Sequence, residues 1–78
     1  MTVTVLYFAS LREAAGCASE VVPTPVTLAQ LYDQLQARHG FTLGRDKLRV
    51  AVDGAFADWQ REVRDGAEIA FIPPVSGG

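Results

Sequence analysis

A chain of 78 residues, 49% hydrophobic and 21% charged, has the size and composition of one small soluble domain with a modest core. Seven basic against nine acidic side chains give a formal charge of −2, which argues against a nucleic-acid or anionic-membrane binder. No apolar run nears the roughly 20 residues of a membrane span, the opening Met1-Thr2-Val3-Thr4-Val5 lacks the basic stretch of a signal peptide, and one Cys and one His provide neither an intrachain disulfide nor a zinc site, so a reducing cytoplasm is the expected setting.

Residues 3–8 are rich in β-branched and aromatic side chains and predict a strand. Val3, Val5 and Tyr7 share one face; Thr4, Leu6 and Phe8 share the other. Both faces are partly apolar, so the strand is either central or meets a partner with its second face. Residues 11–16 predict about one helical turn closed by Gly16. A weaker strand is expected over residues 18–22, ended by Pro23 and Pro25, which donate nothing to a ladder.

The strongest helix signal covers residues 28–39. Thr27 and Gln30 form a capping-box pattern, with Val26 and Leu31 placed as a hydrophobic staple. Leu28, Leu31, Tyr32 and Leu35 make one apolar stripe. Arg38 and His39 occupy the last turn, where the helix dipole favours positive charge, and Gly40 suits the residue after the end.

Residues 41–47 read as loop and 48–52 as a strand. Asp53-Gly54 signals a two-residue hairpin, with residues 55–59 as the returning strand. A further turn at Arg64-Asp65-Gly66 precedes a final strand over 67–72, where Ile69 and Phe71 face one way and Ala70 and Ile72 the other. One main helix against one mixed sheet is a two-layer α+β architecture. The helix stripe is expected to cover Val3, Val5, Val50, Val52, Ile69 and Phe71. The expected division is a domain over residues 1–72 and an extended tail over 73–78.

The tail is the most specific stretch. Pro73 and Pro74 stop the last strand and favour a stiff, extended exit. Val75 is a candidate apolar anchor, and Ser76, Gly77 and Gly78 are small. Glycines without Cβ atoms thread narrow channels, and a terminal glycyl carboxylate is the least hindered acyl group a chain offers. Activation by ATP gives an acyl-adenylate; displacement of AMP by a sulfur nucleophile leaves a thiocarboxylate. A frayed terminus is the bland reading.

Leu6-Tyr7-Phe8-Ala9, followed by Leu11-Arg12-Glu13 and Gly16, the helix from Leu28, and the run from Asp65 to Gly78 together resemble the small subunit of molybdopterin synthase, the MoaD family of ubiquitin-like sulfur carriers. The resemblance covers nearly the whole chain. It implies a β-grasp fold and a carrier that moves between two partners. The first is an adenylyltransferase similar to ubiquitin-activating enzymes, which adenylates Gly78 with ATP; a cysteine-desulfurase relay then delivers the sulfur. The second is the large subunit of molybdopterin synthase, in a complex of two small and two large subunits. The tail (Pro73, Pro74, Val75, Ser76, Gly77) inserts there, and Gly78 gives sulfur to cyclic pyranopterin monophosphate to build the dithiolene. Acid–base groups lie on the large subunit. The chain itself is implied to bind no cofactor and no metal, and ATP is used by the activating partner. By matching position, Phe8 and Ile72 lie on the face buried against the partner, and the match also raises a docking role for Arg12. Asp53 stands where relatives often have Asn; either serves the turn.

Other readings remain open at this stage: a sulfur carrier for thiamine thiazole synthesis, a ubiquitin-like modifier that joins Gly78 to a lysine, or a β-grasp binding module with an inert tail. Cys17 reads as a loop thiol and His39 as a helix-terminal residue. Trp59 and Phe56 are candidates for core or interface, with Trp59 favoured as partly exposed at an interface. Arg45, Lys47 and Arg49 form a basic cluster broken by Asp46, either solvated or facing acids on a partner.

Overall fold

The computed structural model describes residues 1–74. Alternation along Thr2–Tyr7 (β1) buries Val3, Val5 and Tyr7 and leaves Thr4 and Leu6 half-covered on the other side. β1 pairs antiparallel with β2 (Ser19–Pro23) and parallel with β5 (Glu68–Ile72). β5 pairs antiparallel with β3 (Arg49–Val52), and β3 with β4 (Ala55–Ala57), so the order is β2-β1-β5-β3-β4. Pro23 closes β2, an edge strand, where a missing donor costs no ladder bond. The hairpin between β3 and β4 has positive φ at both Asp53 (49°) and Gly54 (88°), the pattern of a type I′ turn. Asp53 adds a contact of its own, since its Oδ1 accepts from the Glu68 backbone N–H at 2.9 Å.

The helix α1 (Ala9–Ala15) is longer than the expected single turn and buries Leu11; Gly16 ends it at φ 77°. The main helix α2 (Leu28–His39) buries Leu28, Leu31, Tyr32 and Leu35 against Val3, Val5, Val50, Ile69 and Phe71, as the stripe predicts. Val52 is only half-buried beside this core.

The start of α2 departs from the expected box and staple. Thr27 Oγ1 accepts from Gln30 N–H at 3.2 Å, as in a capping box, but Gln30 Oε1 accepts from Val26 N–H at 2.8 Å rather than from Thr27. Val26 is 65% exposed while Leu31 is buried, so no staple forms. The approach to the helix is set instead by backbone bonds from a later segment. Leu28 and Ala29 N–H donate to Arg61 and Trp59 carbonyls at 3.1 and 2.9 Å, and Val63 N–H donates to Val26 O at 3.1 Å. These bonds satisfy donors that a helix start leaves orphaned. They also account for the early end of β4, which stops at Ala57 instead of continuing to residue 59: the chain leaves the sheet to cap α2.

Residues 41–47 are a pinned connection rather than a free loop. Phe41 is buried and stacks on Tyr32 at 5.9 Å between ring centroids. Leu43 O accepts from Tyr32 OH at 2.6 Å and from Gln36 Nε2 at 3.2 Å. A 3-10 turn at Arg45–Lys47 then leads into β3.

At the far end of α2, His39 has a partner that its dipole role did not imply. The Tyr7 hydroxyl donates to Glu20 Oε1, and His39 Nε2 donates to the same oxygen at 2.7 Å, the carboxylate being able only to accept. This cluster joins β1, β2 and α2. Burial pushes the Glu20 carboxyl up, but the hydrogen bonds from Tyr7 and His39 and the positive charges of His39 and Arg38 outweigh it and leave it below its usual range. Burial, then the bond to Glu20 and its charge, push the Tyr7 phenol far up; the neighbouring Cys17 adds to this and Arg38 opposes it.

Leu31→Ala is expected to lower stability by about 2–5 kcal/mol, read as a shifted urea midpoint. Glu20→Ala strands the Tyr7 hydroxyl and His39, and is expected to cost about 1–3 kcal/mol at neutral pH. A carboxyl held low in the folded state stabilises above its unfolded value and stops doing so as pH falls through the folded one. Urea titrations are therefore expected to show the gap between wild type and Glu20→Ala narrowing below about pH 4.

Candidate functional site

The parallel register of β1 and β5 brings the end of the last strand beside the end of the first. Leu6 pairs with Ala70 and Tyr7 with Phe71; one step further places Phe8 level with Ile72. β1 ends at Tyr7, and Phe8 serves as the N-terminal cap residue of α1, 46% exposed. Ile72 is half-buried and lies opposite Arg49 of β3. Beyond it Pro73 is buried and Pro74 exposed, so the chain leaves the domain beside Phe8. Val75, Ser76, Gly77 and Gly78 lie outside the described residues.

The sheet face turned away from α2 is apolar near this exit. Leu6, Ala70, Ala51 and Phe56 form one row across β1, β5, β3 and β4. Phe56 is 64% exposed, with the Arg49 guanidinium 5.4 Å from its ring centroid. The row toward the other end of β1 and β5 is polar, with Thr4 opposite Glu68. Phe8 and Ile72 thus sit at the apolar end of the open face.

Of the two aromatic residues of the 55–59 segment, Trp59 is partly exposed, as the sequence reading favoured, yet it is the one that belongs to the core side. Trp59 packs on the core side, stacked with Phe71 at 5.9 Å and 12° and tilted on Tyr32 at 5.7 Å. Its half-buried state comes from lying at the rim of the core, and Phe56 is the aromatic that faces outward. The signal was present in the hairpin: a two-residue turn at Asp53-Gly54 sets Phe56 opposite Ala51, on the face of Ala70 and Ile72.

Arg12 is exposed on α1 and lines a shallow hollow with Glu13, Gly16 and Cys17. Cys17 is half-buried, and no hydrogen bond joins it to His39, whose Nε2 is held by Glu20. Among the described residues no group of three or more His, Cys, Asp or Glu side chains could hold a metal ion. No helix among them is long and apolar enough to cross a membrane.

Comparison with known proteins places these features in a family. Residues 5–78 match the ThiS family. The molybdopterin synthase sulfur carrier subunit of Escherichia coli is 38% identical over 80 residues, covering 97% of this chain and 99% of its own. The subunit of the same name from Drosophila erecta is 40% identical over 83 residues, covering 100% of this chain and 92% of its own. Among solved structures, SAMP1 from Haloferax volcanii, a small archaeal modifier protein, is 28% identical with a TM-score of 0.83, over 100% of both chains. The mixed sheet, the single main helix and a match that runs from residue 5 to residue 78 make the chain a member of the ThiS family, with the ubiquitin-like β-grasp fold.

Proposed function

We propose that this chain is the sulfur-carrying small subunit of molybdopterin synthase, with the Gly78 carboxylate as its working group. The observation that carries the reading is that the family match extends through residue 78, so the likeness includes the Gly-Gly end and not only the domain. Two relatives that match nearly the whole chain at 38% and 40% identity bear the name of that subunit, which favours it over a thiazole-synthesis carrier or a module with an inert tail.

In this reading a carboxylate oxygen of Gly78 attacks the α-phosphorus of ATP on an adenylyltransferase, and pyrophosphate leaves. The terminal sulfur of a persulfide on a relay protein attacks the acyl carbon and AMP leaves. A second thiol of the partners then attacks the S–S bond of the resulting acyl disulfide, forming a disulfide with the relay cysteine and releasing Gly78 as the thiocarboxylate. The tail from Pro73 to Gly77 then presents the sulfur to cyclic pyranopterin monophosphate inside the large subunit. The chain supplies the acyl group and the docking face of Phe8, Ile72 and Arg12, while ATP and the acid–base groups belong to its partners. It binds no cofactor of its own, acts as a sulfurtransferase only within the complex of two small and two large subunits, and works in the cytoplasm.

A second reading draws on the likeness to SAMP1: the same activated carboxylate forms an amide with a lysine of another protein. Intact mass spectrometry after incubation with ATP, a cognate adenylyltransferase and a sulfur donor separates the two. Replacement of one oxygen by sulfur, absent when Gly78 is deleted, is the expected result. Lysine-linked conjugates without a thiocarboxylate form favour the modifier, and no change of either kind with a competent activator removes both.

Phe8→Asp is expected to weaken binding to the large subunit about tenfold or more, because it puts an unpaired charge into a dry contact. Unchanged affinity by calorimetry, with the variant folded, would remove Phe8 from the docking face.

A further inference from the structure

Three of the seven basic side chains fall between residues 45 and 49, and the fold gives them unequal surroundings. Arg45 is engaged: its Nε lies 3.5 Å from Asp33 Oδ1, and its guanidinium carbon is 6.0 Å from the Trp59 ring centroid. Lys47 and Arg49 are exposed and form no ion pair among the described residues. Both line the groove that also contains Ile72, Pro73 and Pro74, with Arg49 directly across from Ile72. Asp46 also lines this groove, but its Oδ1 is turned back toward Gly44, 2.8 Å from where a Cβ there would stand. We infer that Lys47 and Arg49 form a cationic rim at the tail exit that docks on acidic side chains around the mouth of the cleft in the protein that receives the tail. The inference rests on the carrier reading above.

Three observations support it. The first is polarity along two strands. β3 and β5 carry Arg49 and Ile72 at the exit end, and Glu68 with the adjoining Asp53 at the other, in a chain whose net charge is −2. A locally positive exit on an acidic protein orients it toward an acidic surface. The second is preorganisation: Arg49 rests on Phe56, which limits the freedom its guanidinium loses on pairing. The third is reach. Gly78 lies four residues past Pro74, a span of at most about 14 Å, so the two cations stay near the mouth while the terminal carboxylate reacts further in. Their effect falls on encounter and registration. A free anion is a poorer fit than a protein surface, since both side chains are solvent-exposed on an open groove.

The test is stopped-flow association with the cognate large subunit of molybdopterin synthase at low and high salt. Lys47→Glu combined with Arg49→Glu is expected to reduce the association rate constant at low ionic strength by about tenfold or more, with the dissociation rate changed far less. The difference is expected to collapse near 1 M salt, where the screening length is about 3 Å. Lys47→Glu alone, which leaves the Arg49–Phe56 contact in place, is expected to give about a threefold loss, and Arg45→Glu a smaller one. Wild-type association rates for the folded double variant at low salt would overturn the rim while leaving the carrier reading intact. Failure of the wild-type protein to bind the large subunit at all would overturn both.

Discussion

The arrangement depends on one pairing, the parallel contact of β1 with β5. Antiparallel neighbours can be joined by a tight turn, whereas a parallel pair requires the chain to cross over, and here everything from β2 to β4 lies in that crossing. Because the two strands run the same way, the chain leaves β5 at the end where β1 hands over to α1. Phe8, Ile72 and the start of the tail therefore share one edge of the domain. An antiparallel contact would send the tail out at the opposite edge, away from Phe8. The pairing also gives the buried side of the sheet its density: Val3, Val5 and Tyr7 alternate beside Ile69 and Phe71, and the α2 stripe lies over them.

The β3–β4 hairpin and the segment after it divide their aromatic residues between the two sides of this sheet. Trp59 turns inward because residues 59–61 serve the start of α2, lending their carbonyls to Leu28 and Ala29, and the ring follows the backbone onto Phe71 and Tyr32. Phe56, still in the strand, keeps the alternation of the ladder and stays outside. A helix cap thus decides which aromatic belongs to the core and which to the open face.

Where a single periodicity or a short-range turn determines the outcome, the sequence was legible. The α2 stripe, the glycine that ends it, the Asp53-Gly54 hairpin and the alternating strands need only neighbours along the chain. The features that were not legible need partners remote in sequence. Val26 as a staple was plausible locally, but Val63 and Gln30 hold its backbone while its side chain points out. His39 looked like a dipole residue because Glu20, its partner, lies 19 residues earlier on an edge strand. The partial exposure of Trp59 was legible, but its place over Phe71 and Tyr32 follows from capping a helix 30 residues before it. The apolar end of the open face was half visible, as Phe8 and Ile72, and lacked Phe56 until the hairpin register was applied. The working end proposed for the chain, Val75 to Gly78, stands on the sequence and on the family match.

The disposition of polar groups fits a carrier better than a catalyst. Glu20 and His39, the pair with acid–base potential, are spent on each other and on Tyr7, whose phenol is held firmly protonated. What the exit edge offers instead is an apolar patch with exposed cations beside it. On the proposed reading these have different uses. Apolar burial at Phe8, Ile72 and Phe56 gives affinity and slows release. Charges at a rim raise the rate of encounter with little effect on how long the complex lasts. A protein that must leave the enzyme that loads it and reach the enzyme that unloads it is limited by residence time as much as by capture. Adding apolar area would strengthen both complexes and trap the carrier in each, whereas placing Lys47 and Arg49 where the tail emerges speeds capture and leaves release fast.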